Sequence, residues 1–287
     1  MSIKGMLLFQ HEIIDERVVR IFDASNTAMY LVIGDEKAAL LDTGYGCGDL
    51  KKYAEQFTDR PVIALMTHGH RDHAMGAGQF KSWMSPFDFE KYCLDCTLEM
   101  RKKGMEAALG KYDNGLYQNA EEQDWMPALP VEKFHPISPG TIFDLGKITI
   151  EAYCGKGHSE GSMMFLIPES RMFLLGDACG WETRIFCSVR EYLENLEQVD
   201  AATEGRYDRA LSSHDGGDLP DGIIKGAIKT CRDVLAGKDE KIPFIHPNKE
   251  LFGGKNMYYA REIYRENGRI WRRDGGVGGI VYNADLI

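Results

Sequence analysis

Long apolar runs are missing. No stretch approaches the roughly eighteen consecutive apolar residues of a membrane-spanning helix. The start, Met1 to Phe9, holds one Lys and a short apolar piece before His11 and Glu12. It has no signal-peptide core or cleavage site, so the expectation is a cytoplasmic protein with no membrane partner. Positive charge is also scarce: 34 Lys and Arg stand against 44 Asp and Glu, a net charge of -10. That disfavours a polyanionic partner such as nucleic acid. Arg101-Lys102-Lys103 is a basic cluster of the kind that forms a solvated helix face. Fixed-period repeats and low-complexity segments are absent. The seven cysteines are odd in number and scattered, which fits reduced thiols better than a disulfide framework. Cys93-x-x-Cys96 has no second pair nearby, which argues against a zinc knuckle.

What is present is an ordinary globular balance, 44% hydrophobic and 27% charged over 287 residues, expected to form a single domain over 1–287. Within it lies Thr67-His68-Gly69-His70-Arg71-Asp72-His73, directly after the apolar run Val62 to Met66. That run is short and bounded by Pro61, so it reads as a buried strand with the polar cluster in the loop at its end. Imidazole nitrogen and carboxylate oxygen are ligands for zinc and other divalent metals. Three neighbouring histidines cannot all be charged without repulsion, and a metal binds them neutral.

The string resembles the metal-binding signature of the metallo-β-lactamase superfamily. Further elements of that family follow in order: His158 in Gly157-His158-Ser159-Glu160-Gly161-Ser162, Asp177 after Leu174-Leu175-Gly176, and His214 after Leu211-Ser212-Ser213. Upstream stands Leu41-Asp42-Thr43-Gly44, whose Asp is, in the family, a brace for the metal loop. The resemblance covers about Asn26 to His214. It implies an α/β fold, a four-layer αββα sandwich of two mixed sheets flanked by helices. It also implies two divalent metal ions, zinc by default with iron or manganese as alternatives. His68, His70 and His158 would hold one, and Asp72, His73 and His214 the other, with Asp177 bridging. Asp72 and Asp177 are the catalytic candidates, with Asp72 also placed to accept a proton. The motif departs from the common family pattern at Cys154-Gly155-Lys156, before the ligand His158.

Along the chain, Val18 to Phe22, Met29 to Ile33 and Ala38 to Leu41 read as three antiparallel strands. A helix is expected over Leu50 to Phe57, and a helix start after His73, at Ala74 to Phe80. Pro86 to Pro130 reads as a mainly helical insertion, either a lid supplying a substrate wall or a peripheral helical pair. Phe134 to Pro139 reads as a loop with a structural His135. Helices are expected over Val189 to Val199 and Ile223 to Leu235, a short strand at Arg209 to Leu211, a helix at Met257 to Tyr264 and a last strand after the glycines at 275–279. Cys179 reads as a small buried hydrophobe. Tyr258, Tyr259 and His246 are tail residues with no supporting motif.

The function that fits is hydrolysis of a small-molecule ester, thioester, lactone or lactam-like substrate by a metal-bridging hydroxide. A phosphodiesterase of the same fold would want a basic groove, which the charge balance opposes. A mononuclear iron thiol-persulfide dioxygenase is the redox alternative. The flavodiiron branch is set aside because it carries Glu where this chain has His70. Whether the chain forms a homo-oligomer is left open.

Overall fold

The computed structural model describes residues 3–214, 216–245, 256–266 and 269–287. Strands and helices are numbered in chain order. The first sheet runs β1 (Gln10–Ile13), β2 (Val18–Phe22), β3 (Ala28–Ile33), β4 (Ala38–Leu41), β5 (Val62–Leu65), β6 (Lys81–Met84) and β7 (His135–Pro136), in that spatial order. Its first half is antiparallel, as expected; from β4 onward the strands are parallel. The second sheet contains β8 (Ile142–Asp144), β9 (Thr149–Cys154), β10 (Met163–Ile167), β11 (Met172–Leu174), β13 (Arg209–Leu211) and β14 (Asp218–Leu219). Only its β11–β13 pair is parallel, so both sheets are mixed.

Period-two alternation explains the layering. On β3, Ala28, Tyr30 and Val32 join a core with Phe165, Ile167, Leu174 and Leu211 of the second sheet. Met29 and Leu31 point the other way, onto α1 (Leu50–Ala54). On the second sheet, Met164, Leu166 and Phe173 pack outward against α4 (Val189–Thr203) and α5 (Ile223–Leu235). Helix, sheet, sheet, helix is the expected four-layer order.

The insertion holds α2 (Phe89–Asp95), α3 (Leu98–Tyr112) and short 3-10 turns, so its mainly helical reading stands. α3 begins at Thr97, whose side chain accepts from the Met100 N–H. α4 opens on a reciprocal capping pair of Ser188 and Glu191.

Four expectations are corrected. α1 ends at Ala54, and Gln56 and Phe57 continue in tighter i→i−3 bonds. After His73 the chain makes only a 3-10 turn, Ala77–Gln79, then enters β6. His135 and Pro136 form the short β7 beside β6, although His135 is structural as read, stacked on Trp83. Met257 to Tyr264 is not a helix. It is β16 (Met257–Tyr259), followed by the hairpin β17 (Ile263–Glu266) and β18 (Arg269–Arg272). Long-range pairing with β19 (Gly279–Asn283), which puts Tyr258 opposite Tyr282, decides that segment against its local spacing. β16, β19, β12 (Glu182–Arg184) and β15 (Ile242–Pro243) form a third sheet not foreseen from the sequence.

Candidate metal centre

The apolar strand β5 delivers Thr67 to His73 at its carboxyl end; the turns after β9, β11 and β13 deliver His158, Asp177 and His214 to the same edge. The structure brings all seven side chains together, in three overlapping groups: His68–His70–His158, His68–His73–Asp177 and Asp72–His73–His214. Within each group the donor atoms lie within 4.8 Å of one another.

Outer partners fix the ring orientations. Thr67 Oγ1 donates to Asp42, so it accepts from His68 Nδ1 at 3.0 Å, leaving the Nε2 lone pair pointing inward. His158 Nδ1 donates to the Arg184 carbonyl at 3.0 Å, with the same result. Both Nε2 atoms face His70 Nδ1, at 2.9 and 3.0 Å. A single N–H on His70 can serve only one of two lone pairs, so three nitrogens this close lack the protons to satisfy one another. A cation resolves that crowding.

The second group differs. His73 Nδ1 donates to Asp42 at 2.9 Å, and its buried Nε2 has no hydrogen-bond partner. It faces Asp72 at 3.6 Å and Asp177 at 3.7 Å, and the buried Asp177 Oδ1 is likewise unpartnered. His214 Nε2 lies 3.4 Å from both Asp72 and Asp177 Oδ1. The other Asp177 oxygen turns toward His158 Nε2, 3.6 Å away. Orphaned buried atoms of this kind call for an explanation, and an ion is one. The donor set fits a divalent metal.

Electrostatics separate the groups. Burial, then neighbouring imidazoles, hold His68 and His70 well below the ordinary histidine range; burial likewise lowers His158. Burial also pulls His73 down, but Asp72, Asp177 and Asp42 outweigh it and lift that ring to about 10. His214 rises well above its ordinary value because Asp177 and Asp72 overcome its burial. Burial alone would raise Asp72 and Asp177; their histidine neighbours, His73 first for Asp72 and His214 first for Asp177, hold both well below the usual carboxylate range.

Asp42 is the brace that its motif implied. Its backbone sits at φ +65°, an unfavourable region for a non-glycine residue. From there its carboxylate accepts from the Thr67 N–H, Thr67 Oγ1, His73 Nδ1 and Ser213 Oγ, tying three motif loops together. Sequence reasoning missed Thr67 and Ser213 as partners, although both flank recognised motifs. It also missed the third sheet's part: Arg184, whose carbonyl orients His158, lies on β12 beside β19 of the tail.

The insertion joins α2 to α3 and is also tied to the metal loop. It packs onto the metal loop through buried polar contacts. Arg71 reaches Asp95 at 2.7 Å and the Met100 carbonyl at 3.2 Å. Arg101, read as a solvated residue, is only 2% exposed. Its guanidinium donates to the carbonyls of Tyr45, Gly46 and Met126 at 2.8–2.9 Å. Cys179 is fully buried in the α4–α5 core, where burial pushes its thiol up to about 12, as suits a packing role. Cys96 Sγ donates to the Cys93 carbonyl, a helix-end contact. Tyr258 and Tyr259 pack against Tyr282 and Phe244 of the tail region. His246 lies outside the described residues.

The sequence profile of the Metallo-beta-lactamase superfamily matches residues 23–246. The chain belongs to that superfamily. Among individual relatives, it is 22% identical over 148 residues to the "Probable metallo-hydrolase YqgX" of Bacillus subtilis, covering 52% of this chain and 64% of that one. It is 24% identical over 206 residues to the "Atrochrysone carboxyl ACP thioesterase AacuM" of Aspergillus aculeatus, covering 68% and 55%. To the human "Acyl-coenzyme A thioesterase MBLAC2" it is 22% identical over 216 residues, covering 68% and 75%. The match thus spans less than two thirds of the first two relatives. A solved beta-lactamase domain protein from Burkholderia ambifaria has the same fold, with TM-score 0.54 and 18% identity over 83% of this chain and 78% of that one. The sec-alkylsulfatase Pisa1 of Pseudomonas sp. gives TM-score 0.57 at 14% identity, over 78% and 41%. Among the described residues no helix is long and apolar enough to cross a membrane.

Proposed function

We propose that the chain is a metal-dependent hydrolase that uses two divalent cations, zinc by default, to cleave a small acyl thioester or a related ester or lactone. The observation that carries this reading is the placement of Asp177. Its two oxygens face different donor groups, Oδ2 toward His158 and Oδ1 toward His73 and His214. His68, His70 and His158 would hold one ion; Asp72, His73 and His214 the other. Bound there, the pair would polarise an acceptor oxygen and bring the pKa of water toward neutrality.

The chain's own residues supply the rest. Asp42 and the Arg184 carbonyl hold His73 and His158 with their free nitrogens inward. Asp72 and Asp177 keep negative charge at the centre against burial. Asp72 is partly exposed and is the group placed to take up a proton from the attacking water. No serine or cysteine nucleophile is needed. Phe186, 38% exposed with its ring 5.9 Å from that of His158, offers an apolar wall for the acyl group. The thioester preference is supported by the names of the two thioesterase relatives; the acidic net charge of -10 speaks against a nucleic-acid phosphodiester.

The test is elemental analysis of protein purified without added metal, followed by a panel of acyl thioesters, chromogenic esters, lactones, nitrocefin and bis-p-nitrophenyl phosphate. Zinc with thioester turnover is expected. Turnover confined to the phosphodiester would overturn the substrate class, and iron with oxygen uptake on a persulfide would overturn the hydrolase.

A further inference from the structure

Asp88 belongs to no motif. It closes a 3-10 turn, Pro86–Asp88, at the start of the insertion, and it is 1% exposed. A buried carboxylate needs compensation. Asp88 finds it in two loops far apart in the chain. Its Oδ2 accepts from the Gly69 N–H and from Ser159 Oγ, both at 2.8 Å; its Oδ1 accepts from the Gly161 N–H at 2.8 Å. Gly69 lies between His68 and His70, while Ser159 and Gly161 follow His158. One side chain therefore bonds the two loops that carry the three converging imidazoles.

The glycines make the same point independently. Neither Gly69 nor Gly161 has a positive φ, so conformational freedom does not explain them. Closeness does. A Cβ on Gly161 would lie 2.7 Å from Asp88 Oδ1, and a Cβ on Gly69 would lie 2.8 Å from the Asp88 carbonyl oxygen. Both loops are bare where Asp88 meets them.

We propose that Asp88 is a positioning residue that clamps the 68–70 loop to the 158–161 loop and so fixes the spacing of His68, His70 and His158. This rests on the reading of those histidines as ligands of one cation. The insertion is then a structural part of the metal centre, holding it from outside through Asp88 as well as through Asp95 and the Met100 carbonyl, which hold Arg71 of the metal loop. Asp88→Asn replaces one acceptor oxygen by an NH2 that opposes at least one of the three donors.

The test titrates the full chain with zinc against a chromophoric chelator and resolves two binding steps. His158→Ala identifies the step that belongs to the imidazole group; if it alters neither step, the ligand reading fails and the clamp falls with it. In Asp88→Asn that step should weaken about tenfold or more while the other stays within about twofold, in the range seen for outer partners of metal ligands. The visible spectrum of the cobalt-loaded variant should shift, reporting a changed ligand geometry. Unchanged affinity in Asp88→Asn, with His158→Ala behaving as expected, overturns the clamp alone. So does equal weakening of both steps together with a lowered melting temperature of the metal-free protein, since that marks general destabilisation. Should Asp88→Asn fail to fold, Ser159→Ala decides. It removes one of the three donors, and it should weaken the same step about threefold, below the range for losing an outer partner outright. No change there overturns the proposal.

Discussion

The two donor groups of the centre share Asp177 and differ in nearly everything else. His68, His70 and His158 are three neutral imidazoles, crowded together and kept uncharged by burial. Asp72, His73 and His214 are oppositely charged partners that compensate one another. The first arrangement has no internal means of satisfying its lone pairs and depends on what grips it from outside: Thr67, the Arg184 carbonyl and, on our proposal, Asp88. The second compensates its own charges and needs from outside chiefly the Asp42 grip on His73. Ligand type alone therefore does not tell how a site is kept in shape; the imidazole side needs a scaffold and the acidic side needs counter-charge.

The largest effect is expected where the groups meet. Asp177→Asn keeps the side-chain size but removes the shared charge, and turnover should fall by more than the roughly 10–100-fold seen for outer partners, with the fold retained. Near-normal turnover with full metal would break the two-ion account. Asp42→Ala should act on the acidic side through His73 and, through Thr67, on His68 as well. It strips His73 of its orienting acceptor and leaves the buried Thr67 N–H unpaired, weakening metal affinity about 10–100-fold there and costing roughly 1–3 kcal/mol of stability. Chelator titration and thermal melting read the two effects separately.

Proton release sharpens the contrast. His73, lifted to about 10, carries a proton at pH 8 in the absence of a cation, and Asp177 and Asp72 push His214 in the same direction. His68, His70 and His158 carry none. Binding at the acidic group must therefore expel protons at pH 8, and binding at the imidazole group must not. Calorimetry in buffers of different ionisation enthalpy should show release in one step only; equal release in both would contradict the electrostatic distinction. The remaining effects are smaller. Arg101→Met removes the guanidinium from the Tyr45, Gly46 and Met126 carbonyls, of which that of Gly46 still accepts from the Met126 N–H, and should destabilise the protein by about 2 kcal/mol, read in urea. Phe186→Ala should raise KM severalfold for long acyl chains and leave kcat nearly unchanged, if the ring is a binding wall.

The same contrast explains what was legible in the sequence. Four of the donors could be read because their chemistry dictates residue type and they lie within one short loop; His158, Asp177 and His214 were picked out by the resemblance to the family. Asp42 could be read because its strand end and the following Thr-Gly mark it. Short apolar runs with turn signals showed only a mixed α/β domain; the four-layer sandwich came from the resemblance to the family. Asp88, Arg71 and Arg101 could not be read. Each is a single common polar residue whose partners lie far along the chain, such as Gly161 for Asp88 and Tyr45 for Arg101. Arg101 stood in a charge run that looked solvated, and only the fold shows its guanidinium buried against carbonyls. The tail was misjudged for a related reason: Met257 to Tyr259 is short enough for either period, and its strand partner Tyr282 is remote in sequence.

The central claim is that Asp177 stands between two cations. Anomalous scattering at the zinc edge from crystals grown with zinc tests it most directly. Two peaks about 3.5–4 Å apart are expected, one beside His68, His70 and His158 and one beside Asp72, His73 and His214. A single peak, or peaks away from Asp177, would contradict it.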